Sequence, residues 1–323
     1  MARRNPLRDG EAAMTADGRA RPRILYLLGV TRSGSTVLDA ILGSHPGVLA
    51  TGELYHLLRD DHGRTRVCAC GQPVTHCPFW SAVLADWRRH EPHFDAGTYL
   101  RAQNDFERFR RVPQVLRQGQ RPSPAFRQYG EWTESLLQAV GGQRGDKFIA
   151  DSSKHPPRAL ALLATRRFDI VLVHIVRDPR AVAWSKVKYL RSPWGPRRLN
   201  KPFPLAVRSA MNWVEVNLFA ERMGRSTGAP YLRLRYEDLA DDPAVELRRL
   251  GRFVGLDLEE TGRGIAEGQP LTYGHLVAGN RARFQTGRSL AKDLDWRVNS
   301  PTWLRTVVWG IAGTVGRRYG YLR

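Results

Sequence analysis

The sequence predicts an α/β protein: a parallel sheet flanked by helices, with a mostly helical cap inserted near its start. Short apolar runs at 23–29 (RILYLLG), 48–50 (VLA), 147–150 (KFIA), 170–176 (IVLVHIV) and 231–235 (YLRLR) have the length of buried strands. Between them, the stretches 35–44, 157–166, 178–190, 204–223 and 243–254 carry helix-like apolar spacing. Strand and helix in alternation argue a parallel sheet. Residues 55–146 break that alternation, and read as the inserted cap or acceptor-side region.

Taken in order, residues 1–22 lack the apolar run of a secretory leader and read as a disordered basic tail. Residues 23–323 read as one domain. The first strand ends in Gly29, and Val37, Leu38, Ile41 and Leu42 give the next segment a sheet-facing side. His45-Pro46-Gly47 stops that helix. The cap holds all three cysteines and, over 101–127, seven Arg against two acids. A Pro- and Arg-rich stretch, 191–203 (RSPWGPRRLNKPF), reads as a loop of the kind that carries binding residues.

Length and composition set outer bounds. The chain has 323 residues, 42% hydrophobic and 25% charged, which is ordinary for a globular protein with a sizeable core. The formal net charge of +20 is not ordinary, and only 6 of the 51 basic residues are Lys. That excess is either compositional bias or an adaptation to a polyanion: nucleic acid, an acidic lipid surface or a small polyphosphorylated ligand. Charge alone does not choose. A nucleic-acid reader would show basic and aromatic residues on a recognisable module. None is seen, so nucleic acid is not expected as a partner. No apolar run reaches transmembrane length, and three cysteines make no disulfide framework. A cytoplasmic location is the expectation. The segment 301–318 has a broad apolar side followed by Arg317 and Arg318. It reads as a C-terminal helix docked on the core in preference to a membrane-surface helix.

The chemistry starts at Gly29-Val30-Thr31-Arg32-Ser33-Gly34-Ser35-Thr36, between a strand and a helix. Its spacing is that of a phosphate loop, with Ser35 where the nucleotide-hydrolase lysine belongs. Backbone N–H groups of the loop and of the helix start still converge on an anion, and Arg32 supplies the charge. This makes the sheet P-loop-like. A phosphoryl-transfer enzyme needs the missing lysine and a strand-borne Asp for magnesium. A nucleotide kinase is therefore the second reading, and a bare turn without a ligand is the plainest one. A second anion site is legible in Val176-Arg177-Asp178-Pro179-Arg180, where Arg177 ends a strand and Ser185 follows about two helical turns on. Two anion sites at the carboxyl ends of strands in one sheet suggest a ligand with two separated anionic groups.

These motifs resemble those of the sulfotransferase family that uses PAPS (3′-phosphoadenosine-5′-phosphosulfate), nearer its bacterial, protein-tyrosine and carbohydrate branches. T-R-S-G-S-T resembles the family's 5′-phosphosulfate loop, and V-R-D-P-R-A-V-A-W-S its 3′-phosphate motif. Asp151-Ser152-Ser153-Lys154 resembles the strand-end motif whose lysine reaches the transferring group. Tyr236-Glu237-Asp238-Leu239 and His275-Leu276-Val277-Ala278-Gly279-Asn280 resemble later nucleotide-side segments. The resemblance implies PAPS as donor, no metal, and a hydroxyl acceptor on a small molecule, glycan or lipid. It implies donor contacts from Thr31, Arg32, Ser33, Gly34, Ser35, Thr36, Arg177, Ser185, Tyr236, Asn280 and Arg281.

Transfer to a hydroxyl requires a base near its proton and cations near the developing charge. H-P-G-V-L-A-T-G-E resembles the segment in which the tyrosine-type enzymes carry a basic glutamate, which points to Glu53. Lys154 and Arg32 are the candidate cations, and His155 is the reserve base. His174, inside an apolar strand, reads as a hydrogen-bonded core residue. Cys68, Cys70 and Cys77 read as reduced structural cysteines around Trp80; the alternative is zinc, with His62 or His76 as a fourth ligand.

Overall fold

The computed structural model describes residues 21–59, 66–143, 148–191, 201–285 and 287–322. The tail at 1–20 and most of the loop at 191–203 lie outside the described residues. Five strands, β1 (Arg23–Leu28), β2 (Val48–Ala50), β3 (Phe148–Lys154), β4 (Asp169–Val176) and β5 (Tyr231–Arg235), form one sheet in the order β2-β3-β1-β4-β5. Every pairing is parallel.

Successive β1 side chains serve opposite faces, which is why the strand reads as a continuous apolar run. Ile24, Tyr26 and Leu28 join one core cluster and Leu25 and Leu27 another. The first face is covered by helices from the region read as the cap, α2 (Pro78–His90), α3 (Ala96–Phe106), α4 (Val112–Gln118) and α5 (Pro124–Gly142), and by α6 (Pro156–Thr165). Trp80, Trp87, Tyr99, Phe126 and Tyr129 fill that layer. The second face is covered by α1 (Ser35–Gly43) and, after a short α9 (Tyr236–Asp241), by α10 (Pro243–Val254) and α11 (Glu259–Ala266).

A third cluster joins α7 (Pro179–Arg191), α8 (Pro202–Ser226), the short α12 (Asp295–Asn299) and α13 (Thr302–Arg318). Leu304, Val308, Trp309 and Ala312 place the apolar side of α13 against α7 and α8. Among the described residues no helix is long and apolar enough to cross a membrane.

One strand runs further than its apolar pattern predicts. β3 continues through Asp151, Ser152, Ser153 and Lys154, all buried. Polar groups are tolerated there because each finds a partner. Ser152 Oγ donates to Asp39 Oδ2 of α1 at 2.6 Å, Ser153 N donates to Asp151 Oδ1 at 2.9 Å, and Ser153 Oγ accepts from Tyr55 N at 2.9 Å. Beneath this end, Arg158 of α6 reaches Glu107 Oε1 at 2.6 Å and Asp151 Oδ2 at 3.5 Å. All three are at most 1% exposed.

Candidate functional site

The carboxyl ends of the strands deliver the candidate residues to one edge of the sheet. β1 runs into Gly29 and the phosphate loop, β2 leads to Glu53, β3 ends on Lys154, β4 on Val176 before Arg177, and β5 on Arg235 before Tyr236. The chain leaves β3 and resumes at β4 on the other side of β1, so the crevice beyond β1 is the switch point where such sheets bind ligands.

At the phosphate loop, Gly34 has φ 97° and caps α1. A Cβ there would meet Tyr236 Cδ2 at 2.3 Å, so only glycine lets the tyrosine ring lie on the loop. The Arg177 guanidinium stacks on that ring, 4.6 Å from its centroid. Gly34, Tyr236 and Arg177 thus link the two anion sites read from the sequence. Arg177 also donates to the Arg32 carbonyl at 3.2 Å and to Asp293 Oδ2 at 2.7 Å. The carboxylate partner was not legible, because it lies 116 residues away. Among the described residues, Ser33 Oγ is buried without a hydrogen-bond partner, and so is Arg177 Nε. Thr31 is exposed at the loop tip, and Ser35 and Thr36 are buried at the helix start. Ser185 is half-buried on α7.

Arg32 has φ 78° and its guanidinium lies 4.7 Å from the Tyr189 ring centroid of α7. Burial lowers its pKa. Lys186, beside Ser185 in the chain, was missed by sequence reasoning. Burial, with Arg32 nearby, pulls its ammonium down to about 8. Its adjacency to Ser185 was the one available signal.

Glu53 and Lys154 form an ion pair through Oε1 and Nζ, with both side chains about a tenth exposed. Lys154 has φ 66°, a left-handed backbone. His56 Nε2 stands 3.5 Å from Glu53 Oε2. The segment 275–283 crosses above them. Val277 O accepts from Glu53 N at 2.7 Å, and Asn280 N donates to Thr36 Oγ1 at 3.2 Å. Gly279 (φ 91°) lies so close that a Cβ would stand 3.1 Å from Thr36 Oγ1 and 3.4 Å from Glu53 Oε1. Asn280 caps the 3₁₀ turn Arg281–Phe284. Arg281 is exposed in that turn, and Arg283, unforeseen from the sequence, holds the Gly279 carbonyl at 2.9 Å. Burial pulls Arg283 down to about 10, against the opposing pull of Glu53. Asp39 was also unforeseen. It accepts from Gly52 N at 3.0 Å and from Ser152, and burial pushes its carboxyl up to about 7. It ties α1 to the turns that carry Glu53 and Lys154.

The histidines separate cleanly. His174 is fully buried between Tyr231 Oη (2.6 Å) and Asn217 Oδ1 (2.8 Å), as a core residue. His155 stacks on Tyr55, and burial drives it down to about 4. The cysteines gather around a histidine the sequence reading had not paired with them. The ligand atoms of Cys68, Cys70, Cys77 and His275 lie within 4.8 Å of one another. His76 is exposed and bonded to Thr75, and His62 lies outside the described residues.

Residues 23–260 match the model of the sulfotransferase family. Carbohydrate sulfotransferase 1 of Danio rerio is 29% identical over 110 residues, which is 31% of this chain and 26% of that protein. The alignment thus spans about a quarter of that relative. The sulfotransferase domain of the Synechococcus PCC 7002 olefin synthase superposes with a TM-score of 0.50 at 23% identity, covering 97% of this chain and 99% of that domain. That likeness concerns the fold, and it agrees with the parallel sheet described above. With a family model matching well over half its length, the chain belongs to the sulfotransferase family.

Proposed function

We propose that the donor is PAPS and that the acceptor is a hydroxyl of a small molecule, glycan or lipid. The observation that carries the donor assignment is the stack of Gly34, Tyr236 and Arg177, which links two anion sites across the end of the sheet. The 5′-phosphosulfate fits the N–H groups of the 31–36 loop with Arg32. The 3′-phosphate fits Arg177, whose present partner Asp293 it would replace, and Ser185, on α7, is the candidate hydroxyl donor to it. Tyr236, Asn280 and Arg281 border the nucleotide, and Lys186 adds charge beside the loop.

In the reaction, the acceptor oxygen attacks sulfur in line while the bond from sulfur to the phosphate oxygen breaks. Glu53 takes the acceptor proton through Oε2, the oxygen not held by Lys154. An ammonium has three donors. Glu53 takes one from Lys154, and two remain for the sulfuryl and leaving oxygens. Arg32 neutralises charge on the same side.

The test is a melting titration with PAP, the desulfated product, without added metal. At about 100 times its dissociation constant PAP should add about 2.7 kcal/mol. Arg177→Ala should weaken PAP binding at least about tenfold, the loss of one charge-assisted hydrogen bond. Stabilisation by ATP with magnesium and none by PAP would overturn the donor assignment.

A further inference from the structure

Outside the donor site, the turn at 66–77 and the start of the 275–283 segment form a compact knot. Cys68 N donates to the Gln72 carbonyl at 2.8 Å and Gly71 N to the Cys68 carbonyl at 2.9 Å, which curls the turn around its sulfurs. The N–H groups of Cys70 and Gln72 point at the sulfurs of Cys68 and Cys70. Cys77 sits at the start of α2, where Trp80 Nε1 donates to the His275 carbonyl at 2.7 Å and Phe79 stacks on the His275 ring. The imidazole is thereby held with Nδ1 toward the thiols.

Four donor atoms converge there. Cys70 and Cys77 sulfurs are 3.6 Å apart, and His275 Nδ1 is 3.2 Å from Cys77 Sγ and 3.7 Å from Cys68 Sγ. A tetrahedral zinc ion, with Zn–S near 2.3 Å and Zn–N near 2.0 Å, requires donor separations of about 3.5–3.8 Å. None of the cysteines is in a disulfide.

We infer that Cys68, Cys70, Cys77 and His275 bind a structural zinc ion. Three thiolates and one imidazole close the tetrahedron and leave no open position, the mark of a structural site. Binding releases three thiol protons and no electrons. The resulting complex carries one net negative charge, and Arg283, which reaches the Val67 carbonyl at 3.4 Å, stands beside it. The ion would join chain positions some 200 residues apart. Its position has a mechanical meaning. Ala69 N donates to the Leu276 carbonyl at 3.0 Å, and the next residue, Val277, receives the Glu53 N–H. Zinc would therefore fix the segment that holds Glu53 and Thr36, without touching the donor. The inference does not depend on the identity of that donor.

The test uses the full chain, produced with zinc in the medium and purified without chelator. Elemental analysis should find about one zinc per chain, and cobalt substitution should give the visible spectrum of a tetrahedral thiolate site. Chelator should lower the Tm of the parent by about 5–10 °C. Cys70 is exposed, so Cys70→Ser burdens the fold little. It should retain less than roughly a tenth of the zinc, and melt with the chelated parent whether or not chelator is present. Zinc-free protein from zinc-replete medium, a Cys70–Cys77 disulfide by mass, an iron–sulfur chromophore, or parental zinc content in Cys70→Ser would each overturn the assignment.

Discussion

Glu53→Gln is expected to cut sulfuryl-transfer turnover by about 10²–10⁴-fold, the range for loss of a general base. The amide keeps the shape and the hydrogen bond to Lys154 while removing the proton acceptor. PAP affinity should stay within about twofold of the parent, because in the proposed role the carboxylate meets the acceptor hydroxyl and not the nucleotide. Lys154→Ala should cost about 10²–10³-fold in turnover, with a smaller effect on PAP, which lacks the sulfuryl group. Measurement of kcat with any working acceptor, beside a PAP titration, separates these outcomes. Near-parental turnover in Glu53→Gln would remove the base from this position. His155 is then a poor replacement, since its buried ring is held neutral by burial and by Arg158.

The largest stability effect is expected at Arg158. Its guanidinium is 1% exposed and is shared between Glu107 and Asp151, both buried. Arg158→Ala leaves two carboxylates in a dry layer with one cation fewer, a change that typically costs about 3–5 kcal/mol. For a chain of this size that is a fall in Tm of about 4–7 °C. Arg158→Lys should recover little, because a single ammonium does not match the forked contact. Tyr129 Oη, which donates to Glu107 at 2.6 Å, offers the remaining partner. A melting curve within about 2 °C of the parent would show that the pair is not integral to the fold. Asp151 also orients Ser153, which receives Tyr55 N, so the damage would extend to the turn after Glu53.

The sheet was legible because β1 and β4 are dry on both faces and read as apolar runs, and the edge strand β5 keeps apolar residues alternating with Arg233 and Arg235; β4 and β5 fall within a residue of their expected limits. The polar end of β3 was not, since Ser152 and Ser153 are satisfied by Asp39 and Asp151, and hydropathy does not register partners. The residues of the phosphate loop, Arg177, Tyr236, Glu53 and Lys154 converge as their strand-end positions implied. What stayed hidden depends on long-range meeting. No spacing rule brings His275 to Cys77, Asp293 to Arg177, or Arg283 to the neighbourhood of Glu53. Lys186 and Asp39 are inconspicuous in sequence, and burial, joined by Arg32 for the first and Asp151 for the second, is what shifts their proton affinities.

Among the described residues, four that are not glycine have positive φ: Arg32, Lys154, Arg166 and Ala278. Three of these surround the crevice, and two are the cations assigned to the sulfuryl group. A left-handed backbone costs a residue with a side chain about 1–2 kcal/mol. Glycine at 32 or 154 would relax the chain, and it would also remove the charge. At these two positions stability and catalysis favour different residues, so a search guided by thermal stability alone would drift toward a sturdier and inactive enzyme.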